Sequence, residues 1–333
     1  MGDPAGVGPE IIVKALADDS IYASCRPVVL GDEAILSLAI GRSQEKMSFE
    51  VVPTPSEAKS TPGKIDLLSL SELKGDDTAP GRPTVEGGRA MVNYVIRAVE
   101  MIKKEKLGAM VTCPINKALM HRAGHPYEGH TQLISQLTET PDCVMMLAGA
   151  RLRVALATIH CSLSEVPAIL NTALVHKTIT ITARGLQEDL GLKRPRLAVA
   201  GLNPHAGESG LFGAEDEKII RPAVHMARDE GYRVVGPLPS DTLFCKAANG
   251  QFEAVVAMYH DQGLIPLKLL HFSDAVNVTL GLPIVRTSVD HGTAYDIAGT
   301  GRADPSSLKA AIRMAVTMVR NRSGESTPCQ LNT

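Results

Sequence analysis

Three histidines in this chain stand directly after short apolar runs. Leu152–Ile159 leads into His160, Leu197–Leu202 into Asn203-Pro204-His205, and Ala254–Met258 into Tyr259-His260. Each run reads as a buried strand. Polar side chains just past the carboxyl end of a strand are how an open α/β sheet presents a site. Three neutral imidazoles make a divalent-metal set that leaves positions for water or a substrate hydroxyl. A single histidine is more often a core or surface residue, so the case rests on three sharing one context. His121 and His125 are four apart, but Gly124 and Pro126 interrupt any helix there, and the helical zinc pattern fails.

Other residues point to an anion. Lys268, Asn277 and Arg286 lie in or beside apolar segments, which fits a negatively charged substrate, although Lys268 alone could equally snorkel at a surface. Gly129-His130-Thr131-Gln132 precedes Leu133, Ile134 and Leu137. That pattern predicts a helix start with Thr131 as N-cap, and a helix N-terminus beside a basic group favours anions. Asp290–Arg302 carries glycines at 292, 299 and 301 among small residues. Such a loop admits close approach of a flat ligand, but it lacks the G-x-G-x-x-G spacing after a strand and by itself says little about nucleotides.

The elements that must position these groups alternate. Strands are expected at 26–32, 47–52, 65–68, 108–114, 152–159, 197–202 and 254–258. Helices are expected after residue 10, from Val85 to Gly108, from Leu163 to Leu190, from Glu215 to Gly231 and from Ser306 to Arg320. The glycine- and proline-rich opening, Met1–Glu10, would normally hang from a strand, and none precedes it. The alternation predicts α/β architecture with mostly parallel sheets.

Composition narrows the function classes. At 333 residues two domains are expected. With 44% hydrophobic and 21% charged residues the chain is of globular type, and a net charge of −2 with 3% aromatics argues against a nucleic-acid platform. No apolar run reaches membrane-spanning length and no signal peptide is evident. Cysteines 25, 113, 143, 161, 245 and 329 form no C-x-x-C pair, so reduced thiols in a cytoplasmic protein are expected.

Taken together, Met1–Glu10, Gly129-His130-Thr131, Asn203–Glu208, Met258–Gly263 and Asp290–Gly299 resemble the 4-hydroxythreonine-4-phosphate dehydrogenase family of pyridoxal 5′-phosphate biosynthesis, over nearly the whole chain. The opening loop and the Asp290-His-Gly-Thr-Ala294 segment are also similar to isocitrate and isopropylmalate dehydrogenases. The resemblance implies a homodimer of two α/β/α domains, with mostly parallel sheets and the site in an interdomain cleft completed across the dimer interface. Residues 1–128 with 280–333 would form one domain and 129–279 the other. His160, His205 and His260 would hold a divalent metal (zinc, magnesium, cobalt, manganese or nickel). His130, Thr131, Lys268, Asn277 and Arg286 would hold a phosphorylated hydroxy acid. His291, Gly292, Thr293, Ala294, Asp296, Gly299 and Gly301 would hold NAD or NADP. The implied reaction oxidises the C3 hydroxyl of 4-phosphohydroxy-L-threonine to a ketone, and the β-keto acid then decarboxylates. Asp261, Asp241 and Lys268 are the base candidates.

Cys113 stands where the family usually has glycine and Gln132 where it commonly has glutamate. His125 is shared with a branch that oxidises D-threonate or D-erythronate 4-phosphate, which is the alternative substrate class. A metal-dependent hydrolase is the alternative from a different class, and the glycine-rich 291–301 segment argues against it.

Overall fold

The computed structural model describes residues 1–104 and 106–325; Cys329 and the end of the expected 280–333 segment lie outside the described residues. In chain order the strands are β1 (Val28–Asp32), β2 (Ser48–Val51), β3 (Lys64–Ser71), β4 (Ala109–Thr112), β5 (Val144–Ala148), β6 (Arg153–Leu156), β7 (Arg196–Ala200), β8 (Arg233–Leu238), β9 (Ala254–Ala257), β10 (Val276–Leu280) and β11 (Val285–Val289). The chain divides into two compact units, Met1–Pro141 with Leu282–Val316, and Asp142–Gly281 with the segment from Thr317 onward. The division falls after Pro141 rather than after residue 128, which places His130 and Thr131 in the first unit. Their helix, His130–Leu137, packs on the helix Val85–Lys103 of that unit, and Lys103 Nζ reaches the Leu137 carbonyl at 3.2 Å.

The first unit holds a parallel three-stranded sheet in the order β1-β3-β2, and a parallel β4–β11 pair in which Val285 faces Ala109. Its core gathers Ile11, Val13, Ile21, Leu36, Ile65 and Leu67, all buried. The Val85–Lys103 helix starts where Thr84 Oγ1 accepts from Gly87 N–H, a side-chain cap that satisfies one of the end's orphan donors. It buries Met91, Val95 and Val99 as its period demands, and leaves Ile96 and Ile102 half-buried. It ends at Lys103, five residues before the expected Gly108 stop.

In the second unit the strands run β10-β5-β6-β9-β7-β8. β5 is antiparallel to both neighbours, while β6, β9, β7 and β8 are mutually parallel. The β9 run Ala254-Val-Val-Ala257 is buried throughout, as a central parallel strand covered on both faces requires. The helix expected over 163–190 is interrupted: Val166–Ile169 forms one turn, and a second helix, Thr172–Glu188, starts afresh with Asn171 Oδ1 accepting from Leu174 N–H. The expected 215–231 helix opens on a wider turn, Asp216–Ile220, before regular helix over Arg221–Asp229. No helix among the described residues is long and apolar enough to cross a membrane.

Candidate active site

In the second unit three adjacent parallel strands, β6, β9 and β7, each release one of the sequence-predicted histidines from the carboxyl end. The β6–β9 ladder aligns Leu156 with Ala257 and continues through Ala157 N–H to the Ala257 carbonyl (2.9 Å) and Thr158 Oγ1 to the Met258 carbonyl (2.8 Å). That register delivers His160 and His260 side by side, with ring centroids 5.9 Å apart. His260 Nδ1 is 2.7 Å from Asp261 Oδ1. A carboxylate on one ring nitrogen fixes the imidazole and leaves the other available to a ligand.

His205 takes a different position. Its ring packs 6.1 Å from that of Phe212, and the backbone from His205 to Ser209 is left-handed, with φ of 53° at His205 and 54° at Ala206. Side chains rarely adopt this region, so neighbouring contacts must hold it there. Asp216 is one of them. Its buried carboxylate accepts from Leu202 N–H (2.8 Å), Asn203 N–H (3.1 Å) and Asn203 Nδ2 (2.9 Å), tying down the start of the loop. Among the described residues no three His, Cys, Asp or Glu side chains converge on a metal position. The donor chemistry at His160 and His260 fits a divalent ion, and His205 stands on the neighbouring strand end.

Gln262 locks these strand ends together. Its Oε1 accepts from Met258 N–H at 2.6 Å, and its Nε2 donates to the Gly201 carbonyl at 2.7 Å and to Ser240 Oγ at 3.0 Å. Of the base candidates, Asp261 is engaged with His260. Asp241 is exposed in the first turn of the helix Ser240–Ala248, and Lys268 Nζ stands 5.9 Å over the Phe272 ring. Asn277, on β10, has a buried Oδ1 without a hydrogen-bond partner among the described residues.

The first unit gathers a buried guanidinium and a glycine-rich wall. Arg286 on β11 is buried and donates to Thr112 Oγ1 at 2.9 Å. Burial and then the Arg286 charge push His130 well below the usual imidazole range, and its buried Nε2 has no hydrogen-bond partner among the described residues. An orphaned imidazole nitrogen beside a buried guanidinium suits an incoming anion. His130 opens its helix behind Gly129 (φ 154°), so the N-cap is Gly129 and Thr131 lies in the first turn rather than capping it.

Of the predicted cofactor residues, Gly299 and Gly301 line a pocket of about 280 Å³, together with Gly6, Pro9, Glu10 and Arg42. Thr293 contacts the opening loop through its carbonyl, which accepts from Val7 N–H at 2.9 Å. His291, Gly292 and Asp296 are exposed nearby in sequence but are not part of the pocket lining. A nicotinamide dinucleotide fits this cradle in one respect: at Gly299 a Cβ would meet Arg42 Nη1 at 2.7 Å and Pro80 at 2.9 Å, and φ there is +74°. Only glycine keeps the wall this close.

The family model for the pyridoxal phosphate biosynthetic protein PdxA matches residues 23–315. The chain belongs to the PdxA family. A 4-hydroxythreonine-4-phosphate dehydrogenase of Desulforapulum autotrophicum is 54% identical over 95% of this chain and 93% of its own. A D-threonate 4-phosphate dehydrogenase of Cupriavidus necator is 45% identical over 97% and 96%. The crystal structure of 4-hydroxythreonine-4-phosphate dehydrogenase from Klebsiella pneumoniae is similar with a TM-score of 0.87, at 42% identity and 96% coverage of each chain. PdxA members are oxidoreductases, so the first and second readings of the sequence fall within the family and the hydrolase reading does not.

Within this PdxA chain, Glu10, Asp216, Gln262 and Tyr295 escaped the sequence reading. Each acts on backbone or side chains distant in sequence, and no local pattern marks such partners. Gln262 alone had a signal, its place beside His260 at a strand end.

Proposed function

We propose that this chain catalyses NAD-dependent, divalent-metal-dependent oxidation of 4-phosphohydroxy-L-threonine to 2-amino-3-oxo-4-phosphooxybutyrate, which loses carbon dioxide to give 3-amino-2-oxopropyl phosphate. NAD, when bound, would supply the hydride acceptor, and a base of this chain would take the hydroxyl proton. The observation that carries this reading is the near full-length similarity to relatives bearing that name, joined to three histidines leaving three adjacent parallel strands.

His160, His205 and His260 would hold the metal, which when bound supplies positive charge at the reacting oxygen. Asp261 orients His260. His130, Thr131 and Arg286 would hold the phosphate, with Lys268 and Asn277 as further substrate contacts, and the buried Arg286 gives the fixed charge a dianion needs. Asp241, Asp261 and Lys268 are the groups proposed to take the proton. The segment 291–301 would hold the adenosine part of NAD or NADP. Exposed Ile265, Leu269 and Phe272 (60%, 81% and 83% exposed) support burial against a second copy, hence a homodimer. A cytoplasmic location suits such an enzyme.

A second reading is oxidation of D-threonate or D-erythronate 4-phosphate, favoured by His125 and the Cupriavidus necator relative. NADH absorbance with each substrate, with and without a chelator, decides between them. Chelator-sensitive turnover of 4-phosphohydroxy-L-threonine alone supports the first reading, and preference for D-threonate 4-phosphate replaces it. Loss of metal binding in His205→Ala is expected; retained binding would remove His205 from the metal set.

A further inference from the structure

Glu10 is a buried carboxylate at the floor of the glycine-rich pocket, 8% exposed. Its Oε2 accepts from Gly299 N–H at 3.2 Å and Gly301 N–H at 3.3 Å, and its Oε1 accepts from Ala303 N–H at 2.9 Å. One helical turn on, Lys14 Nζ lies 3.2 Å from Glu10 Oε1 and donates to the Gly301 and Ala303 carbonyls, each at 2.7 Å. Glu10 and Lys14 thus hold three amide donors and two carbonyl acceptors of the 299–303 turn from a single face of the helix Gly8–Leu16.

We propose that Glu10 is a positioning residue for the adenosine half of the dinucleotide, holding the 299–303 turn in the shape that walls the pocket. The inference rests on the cofactor reading above and adds to it the residue that makes the wall.

Two physical points support it. A turn with Gly299 and Gly301 at φ +74° and +77° has wide conformational freedom, and a fixed partner is needed to select one shape. Backbone N–H groups already bound to a carboxylate are not available as an anion nest. The turn therefore offers the ligand its CH surface and its position rather than amide donors. A flat, uncharged base suits that wall, whereas a diphosphate does not. Without Glu10 three amide donors would lose their partner together, and the turn would be free to close or open the pocket.

The test measures binding directly. AMP, NAD and inorganic phosphate are titrated calorimetrically into wild type, Glu10→Gln and Lys14→Met, with circular dichroism checking the fold. If Glu10→Gln does not fold, Lys14→Met carries the comparison. The expected result is AMP and NAD affinity weakened about tenfold in both variants, as loss of charge-assisted hydrogen bonds predicts, with phosphate affinity unchanged. In turnover the KM for NAD rises by the same factor while kcat and the KM of the phosphorylated substrate stay put. Unchanged AMP affinity in a folded variant, or equal loss for AMP and phosphate, overturns the proposal while wild-type binding keeps the cofactor reading. Wild type that binds neither AMP nor NAD overturns both.

Discussion

The Tyr295 hydroxyl donates to Asp3 Oδ2 at 2.5 Å, joining the opening loop to the glycine-rich segment across nearly the whole length of the chain. Asn116 Nδ2 donates to the same hydroxyl at 2.9 Å while Asn116 Oδ1 caps the helix Lys117–Arg122. Burial pushes Asp3 above the ordinary carboxylate range and the Tyr295 bond partly opposes that. Tyr295→Phe should therefore cost about 1–3 kcal/mol at neutral pH, where a buried carboxylate loses a donor. The loss should shrink as pH falls and Asp3 takes up a proton, because the protonated acid needs that donor less. Urea unfolding at pH 4.5 and 7.5 reads the difference; equal destabilisation at both would show that the bond does not depend on the Asp3 charge.

His130 carries a pH signature of its own. Its folded-state pKa lies well below the ordinary value of 6.5 because burial and the Arg286 charge disfavour the imidazolium. For a base depressed in this way, the unfolded chain binds the extra proton. The contribution is fully present above pH 6.5 and is lost as pH falls below it. His130→Gln should flatten the drop in thermal midpoint between pH 7 and pH 5. An unchanged slope would show that His130 is not neutral in the folded protein.

The thiols sort by environment. Burial pushes Cys113 up to about 11, whereas Cys245 is exposed. Since the thiolate is the reactive form, Cys245 should react with a disulfide reagent in the native protein at pH 8. Cys113 should react only after unfolding. Mass spectrometry of the labelled peptides checks this, and native labelling of Cys113 would contradict its burial.

Ile265 and Leu269 lie one turn apart on the helix His260–Leu270, both strongly exposed, with Phe272 just beyond. If a second copy covers them, Leu269→Glu places an unpaired charge in that interface. The expected outcome is a shift from dimer to monomer in light scattering, with the monomer's circular dichroism unchanged. A wild type already monomeric at micromolar concentration would remove this face from the assembly.

Much of the architecture was legible because buried parallel strands are continuous apolar runs. Ala254–Ala257, Arg196–Ala200 and Arg153–Leu156 announced themselves in this way, and each carried its histidine with it. The Val85–Lys103 helix was legible by its period. The break at Leu170–Asn171 was not, since the apolar spacing continues through it and only the Asn171 cap restarts the helix. β10 and β11 carry Asn277 and Arg286 within them, polar residues that interrupt the apolar run by which a buried strand is recognised.

The sequence alone determined the types of group available: three strand-end imidazoles, a set of cations for an anion, and a glycine-rich loop, each set by local composition and period. Only the tertiary structure decided adjacency. That β6, β9 and β7 are neighbours follows from hydrogen-bond pairing between segments separated by up to about 100 residues, and no local pattern encodes it. The same holds for Glu10 beneath Gly299–Ala303 and Tyr295 on Asp3. A buried carboxylate must find donors wherever the packed chain brings them, and those donors lie at the other end of the sequence.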